Sequence, residues 1–362
     1  MPTLQSSLFV LALLAAAPTR AQLPAPAAAP AAAVSVPAAD AFFADPALAE
    51  TRAVIVLKDG KRIYERYAPG YGPGNRFISW SMAKSITSTL VGELVSDGKL
   101  ELDRPVPVAE WHAVPNDPRA AITLRQLLNM TSGLKHSESD PIATADTNRA
   151  LFADKSADIV AHAIAAPLES KPGTVFQYST LTTHILADIV TRSITPANAT
   201  PAQRRKAMRD FINIRLAGPG AMPTLLCEFD PAGHLLGGSF CHASARDWAN
   251  FGQLYLGNGL VAGRQVVSPA WVSFVAAPTP ANAGYGGQFW LNRVPTKPHE
   301  SALFAALGPA DAYAAIGHLG QYIIIVPSKH LVVVRLGKTQ DADRAPIKAA
   351  LGKLVNSFPA VP

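Results

Sequence analysis

The sequence predicts an α+β protein in which both chain ends form one antiparallel sheet, flanked by helices, with a mostly helical lobe inserted between them. Three observations carry this. The β-rich runs Ala53-Val54-Ile55-Val56-Leu57 and Arg62-Ile63-Tyr64-Glu65-Arg66-Tyr67 flank Lys58-Asp59-Gly60-Lys61, and Asp-Gly between two such runs signals a hairpin. From about 100 to 256 the pattern is mainly helical and punctuated by turns, for example over 203–216 and 245–255. Strand patterns return at 287–292, and then at 322–326 and 331–336 around Pro327-Ser328-Lys329-His330. Strands at both ends with helices between them fit a sheet closed by the two termini.

The elements before this sheet are read differently. Leu8 to Ala17 is almost wholly apolar, and Thr19-Arg20-Ala21 supplies small residues at a cleavage position. Residues 1–21 therefore read as a signal peptide, too short to span a bilayer as a stable helix. Residues 22–39 are almost entirely Ala and Pro and read as an exposed tether, which places the folded domain at 40–362. The expectation is a periplasmic or secreted protein without stable membrane insertion.

Composition narrows the function. With 362 residues, 49% apolar and only 16% charged, the chain can bury a large core and is neither disordered nor a coiled coil. The net charge of +6 is dispersed, with no basic run of five, which disfavours a nucleic-acid partner. Two cysteines are too few for a disulfide scaffold or a four-thiolate zinc site. The nine histidines are scattered without a His-Glu-x-x-His pair, so no metal or organic cofactor is called for.

A nucleophile is harder to place. No Gly-x-Ser-x-Gly elbow exists; Gly237-Gly238-Ser239-Phe240-Cys241 lacks the final glycine. Gly70-Tyr71-Gly72-Pro73-Gly74 lacks the Lys-Ser/Thr of a phosphate loop and reads as a connection. Ser-x-x-Lys occurs three times, at Ser81/Lys84, Ser96/Lys99 and Ser132/Lys135. The chemistry needs both residues on one helical face, so that the amine can take the hydroxyl proton. Gly98 and Gly133 mark the second and third as helix-ending turns. Only Ser81-Met82-Ala83-Lys84 opens a helix, continued by Ile86, Leu90 and Leu94. With Ser79 as N-cap, Ser81 falls in the first turn, where its free amide can serve as an oxyanion donor. Lys84 then points into the core, where desolvation lowers its pKa. On the residues alone, an ordinary helix start with an exposed lysine fits equally well.

Phe77-Ile78-Ser79-Trp80-Ser81-Met82-Ala83-Lys84-Ser85-Ile86-Thr87-Ser88 resembles the nucleophile segment of the serine β-lactamase-related hydrolases. That group includes class C β-lactamases, DD-peptidases, family VIII carboxylesterases and aminohexanoate-dimer hydrolases. Further segments follow in the family's order. Ile122 to Leu134 is similar to the stretch ending in Thr-Ser-Gly-Leu, Pro172 to Ser179 to the one that carries a catalytic tyrosine, and Gly237-Gly238 with 243–255 to a later helix. The resemblance runs from about 52 to 337 and implies a β-lactamase/DD-peptidase-like fold. It implies Ser81 as acylated nucleophile, Lys84 as its proton acceptor, and Tyr178 as a second base exchanging protons with Ser81 and the leaving group, its pKa held down by Lys84.

Two departures shape the expected substrate. Thr180 stands two residues after the tyrosine, where class C β-lactamases carry Asn, and Gly317-His318-Leu319-Gly320-Gln321 stands in place of their Lys-Thr-Gly. The His-x-Gly resembles the esterase and oligomer-hydrolase side of the family. On that reading His318, Gly320, Thr180 and Trp290 meet substrate, although a place in the core is the slightly favoured reading of Trp290, and the Gln321 amide is the second oxyanion donor beside that of Ser81. The expectation is an exported serine hydrolase of small esters or amides. A catalytically weak peptidoglycan- or partner-binding protein is the alternative, and a β-lactamase or DD-peptidase a lesser one. Cys227 and Cys241 flank Gly237-Gly238 and are read either as a disulfide or as buried thiols.

Overall fold

The computed structural model describes residues 36–361, except 140, 295–302, 305–306 and 341–343. The expected signal peptide and most of the tether lie outside the described residues. Helix α1 (Pro37–Ala44) begins three residues before the boundary drawn from composition. Pro37 suits the first helical position, where its missing N–H has no partner to lose, and Ala39 and Phe42 bury one face.

Strands β1 (Thr51–Lys58) and β2 (Lys61–Tyr67) form the hairpin, turning through Asp59 and Gly60 with φ of 51° and 72°. That left-handed pair is what a tight two-residue turn requires. The short strand β3 (Arg76–Ile78) leads into helix α2 (Met82–Ser96). The inserted lobe follows: α3 (Ala109–His112), α4 (Leu124–Leu128), α5 (Asp146–Phe152), α6 (Ile159–Ile164), α7 (Thr180–Ile194) and α8 (Pro201–Phe211). The helix expected over 203–216 changes at Ile212 into a π-helical turn ending at Ala217. Beyond it come β4 (Leu226–Cys227), β5 (Cys241–Ser244), α9 (Ala245–Leu256), the small hairpin β6 (Leu260–Val261) and β7 (Arg264–Gln265), and α10 (Pro269–Val275). The chain closes with β8 (Trp290–Leu291), β9 (Tyr313–Gly317), β10 (Gln321–Val326), β11 (Leu331–Gly337) and α11 (Arg344–Asn356).

The main sheet has the order β2-β1-β11-β10-β9-β8 and is antiparallel throughout. β1 from the front of the fold pairs with β11 from its end, so the two chain ends close the sheet. Both faces are covered, and successive residues along a strand enter different cores. Ala53, Ile55 and Leu57 pack with Val332 and Val334 against Ile86, Leu90, Phe251 and Leu254 of α2 and α9. Val54 and Val56 pack with Ile324 and Val333 against Phe42, Ile347 and Leu351 of α1 and α11. The strand expected at 287–292 shrinks to Trp290–Leu291. β9 was not expected: Tyr-Ala-Ala-Ile-Gly has little β-branched character, and tertiary pairing makes it a strand.

A second sheet, β3-β5-β4, props the entry to α2. Cys227 and Cys241 lie directly opposite in it, with Cα atoms 4.0 Å apart, and are joined by a disulfide that closes a 14-residue separation. Loop closure of that size is worth about 3 kcal/mol. Cys227→Ser/Cys241→Ser, or reduction of the native chain, is expected to lower the melting temperature by several degrees; scanning fluorimetry with and without reductant checks this.

Candidate active site

Helix α2 is buried along Met82–Leu94, so its polar side chains must find partners inside the protein. The Ser85, Thr87 and Ser88 hydroxyls donate to the carbonyls of Gln288, Gly237 and Gly287 at 2.8, 2.9 and 2.9 Å. These bonds fix the rotation of the helix and hence where Ser81 and Lys84 point. The start of α2 differs from expectation. Ser81, not Ser79, is the N-cap. Ser79 instead braces β5: its N–H donates to the Cys241 carbonyl at 2.7 Å, and its hydroxyl oxygen accepts from the Cys241 N–H at 3.0 Å. Between them Trp80 is forced to a φ of 44°, a left-handed conformation that bulky residues rarely adopt. Its ring rests against Phe240 at 5.6 Å and His318 at 5.2 Å.

Lys84 is 1% exposed. Its Nζ lies 3.1 Å from Ser81 Oγ, 2.7 Å from Thr180 Oγ1 and 2.9 Å from the Gly238 carbonyl oxygen. All three are neutral. Burial therefore dominates and pushes the Lys84 pKa down to about 8, with the charge of Glu138 acting the other way. Lys84 Nζ also sits 4.8 Å from the centre of the Tyr178 ring, and Ser81 acts on the Tyr178 phenol in the direction that lowers its pKa. The expectation that Lys84 holds Tyr178 down is not met. Burial, seconded by the Glu138 charge, raises the phenol well above its ordinary value, so it stays protonated.

One wall beside Tyr178 is aromatic: Trp290 at 5.3 Å and Tyr285 at 6.1 Å, backed by Phe176. Half-buried Trp290 thus lines the site from β8. The facing edge is β9. β8 pairs only with Tyr313 and Ala314, which leaves the outer edge from Ala315 to Gly317 without a strand partner among the described residues. A Cβ on Gly317 would lie 2.2 Å from the Ser79 carbonyl oxygen, so this glycine permits the close approach of β9 to the segment leading into α2.

A family model for beta-lactamase matches residues 44–356. The chain belongs to the beta-lactamase family. It is a hydrolase of that family. It is 26% identical over 302 residues to the 6-aminohexanoate-dimer hydrolase of Paenarthrobacter ureafaciens, covering 81% of this chain and 74% of the relative. Among solved structures, a penicillin-binding protein homologue from Caulobacter crescentus superposes with a TM-score of 0.61 at 16% identity, covering 88% of this chain and 96% of the other. A family VIII carboxylesterase superposes with a TM-score of 0.60 at 15% identity, over 88% and 96% of the two chains.

The fold brings Ser81, Lys84, Tyr178, Thr180, Trp290 and His318 together, but three sequence assignments change. Thr180 is 2% exposed and holds Lys84 from beneath rather than meeting substrate. Gly320, at φ 79°, serves the β9–β10 turn: a Cβ there would lie 2.5 Å from Arg335, whose guanidinium donates to the Gly320 carbonyl. Gln321 lies on interior strand β10, and its buried side chain bonds both backbone polar groups of Gly337. Amides of an interior strand are directed along the sheet toward its neighbours, which does not suit the Gln321 N–H to the oxyanion role expected of it. Exposed His318 stays at the mouth, against Trp80.

Glu138 was missed. It sits on the loop before α5 and carries no motif, yet it bonds Thr180 through both carboxylate oxygens. Elsewhere, a cavity of about 570 Å³ between α3, α6 and α7 is lined by Glu110, Asp188, Arg192 and His234. Its Arg192 is already paired with Asp188 and Glu110, and Ser81 is not part of it. Among the described residues no group of three His, Cys, Asp or Glu is placed to hold a metal, and no helix is long and apolar enough to cross a membrane.

Gly238 is held to glycine by contact. A Cβ would come within 2.8 Å of Thr180 Cγ2 and 2.9 Å of its carbonyl oxygen. Gly238→Ala is expected to displace Thr180 from Lys84 and to lower p-nitrophenyl ester hydrolysis roughly tenfold or more, measured per folded molecule.

Proposed function

We propose that the chain is an exported serine hydrolase that cleaves small esters or amides through an acyl-enzyme on Ser81. One observation carries the reading: a buried lysine amine, lowered to about 8 and surrounded by neutral acceptors, lies 3.1 Å from a serine hydroxyl at a helix start. A binding protein has no use for such a poised amine.

Neutral Lys84 accepts the Ser81 proton as Oγ attacks the substrate carbonyl carbon. The oxyanion is received by the Ser81 N–H and by a backbone N–H on the β9 edge between Ala315 and His318. Protonated Tyr178 is the donor to the leaving oxygen or nitrogen, and the proton held on Lys84 restores the phenol. Water then attacks the acyl carbonyl carbon with Lys84 again as base, the C–Oγ bond breaks to release the acid, and the proton held on Lys84 returns to Ser81 Oγ. Tyr178 is thus an acid in this scheme, not the second base that the resemblance implied.

The rings of Trp80, Phe240, Tyr178 and Trp290 favour apolar acyl and leaving groups. His318 stands where a permanent cation would bind a β-lactam or peptide carboxylate, which favours esters and simple amides, including linear amides of the kind in the relative's name. The Cys227–Cys241 bridge supports work in an oxidising compartment, periplasmic or extracellular.

Fluorophosphonate labelling and p-nitrophenyl butyrate hydrolysis test this beside Ser81→Ala: both should vanish in the variant, and labelling that persists there would sink the assignment. Because the amine must be neutral to act, kcat/KM is expected to rise with pH through an apparent pKa of about 8 and level off above it. A pH–rate profile checks the position of that limb.

A further inference from the structure

The Glu138 carboxylate accepts three hydrogen bonds: from the Thr180 hydroxyl at 2.6 Å, the Thr180 N–H at 2.7 Å and the Thr147 hydroxyl at 2.8 Å. The first has a consequence for Lys84. A threonine hydroxyl has one proton, and here it is committed to Glu138, so Thr180 Oγ1 can meet Lys84 Nζ, 2.7 Å away, only as an acceptor. The Gly238 carbonyl, at 2.9 Å, is an acceptor by nature. A neutral amine has two N–H groups and one lone pair. With both N–H groups drawn to Thr180 and Gly238, the lone pair is left for the third neighbour, Ser81 Oγ, whose hydroxyl must then donate.

We propose that Glu138 is a positioning residue which, acting through the Thr180 hydroxyl, fixes the direction of this hydrogen-bond chain and keeps the Lys84 lone pair on Ser81. The inference rests on Ser81 and Lys84 being nucleophile and base. Without the carboxylate, the Thr180 hydroxyl is free to turn and donate to the Lys84 lone pair. The chain then runs backwards, and Lys84 presents an N–H to Ser81 instead of a base.

The charge of Glu138 matters separately. The groups facing Lys84 come from several elements. Tyr178 and Tyr285, from the loops before α7 and β8, stay protonated because burial raises both. His184 on α7 is pushed down to about 3 by burial and stays neutral. His136, which faces Glu138, is likewise lowered by burial, and Arg344 of α11 acts on Tyr178. Glu138 alone among these opposes the desolvation of Lys84. Removing its charge therefore moves the Lys84 limb toward lower pH, while the lost orientation lowers the plateau.

The test is the pH–rate profile of p-nitrophenyl butyrate hydrolysis by the full chain. Rates are expressed per site titrated with fluorophosphonate, which counts only competent folded molecules. E138Q is expected to lose about a hundredfold in kcat with little change in KM, and its limb should move to lower pH. E138D, which keeps charge and acceptor, should recover much of the loss. T180V removes the relay but leaves the carboxylate, so it should match E138Q in kcat without the same downward shift. A wild-type plateau per titrated site and an unmoved limb in E138Q would overturn the proposal. If E138Q does not fold, wild-type kcat in T180V overturns it equally. Activity that survives in Ser81→Ala overturns the underlying reading instead, whatever Glu138 does.

Discussion

Much of this structure follows from holding one lysine amine in the protein interior with only neutral oxygens around it. A charged amine there would be costly, so its seat must come close from several sides at once. Gly237 and Gly238 let the backbone approach α2 and α7 where any side chain would collide with Thr87 or Thr180. The hydroxyls of Ser85, Thr87 and Ser88 anchor a helix that has no solvent face from Met82 to Leu94. The left-handed Trp80 turns the chain so that the serine one residue later caps this helix.

The seat has a thermodynamic side. The Lys84 pKa falls from 10.5 unfolded to about 8 folded, so between those values the unfolded chain binds more protons. Stability from this group therefore rises with pH across that window. Below it the full burial cost, roughly 3 kcal/mol, is carried by the rest of the fold. The double-sided sheet and its two apolar layers supply that margin, which is the usual relation between a strained site and a well-packed scaffold.

The sheet hairpins, the helical middle and helix α2 were legible because each has a local signature: alternation, a turn dipeptide, a run of apolar residues at helical spacing. That Ser81 and Lys84, of the three Ser-x-x-Lys pairs, lie at a helix start was legible too, since glycines mark the other two as turns. What was not legible is set by partners far along the chain. β9 is alanine-rich and becomes a strand only by pairing with β10. The His-x-Gly pattern draws attention to Gly320, whereas the glycine that touches the segment leading into α2 is Gly317. Ser79 looks like a helix cap until β5 arrives to occupy it. Glu138 reaches Thr180 across 42 positions, and no spacing rule announces it. The phenol of Tyr178 rises because of enclosure, which a motif does not encode.

The Cys227–Cys241 bridge is remote from the chemistry in sequence terms, yet the segment it closes contains Gly237 and Gly238, and Cys241 itself holds Ser79. The helix alone can place serine and lysine three residues apart. The carbonyl that claims one amine proton belongs to the bridged loop. The bridge, by joining β4 to β5 across that loop, thereby ties one contact of the buried amine to a covalent link that lies far from it in the sequence.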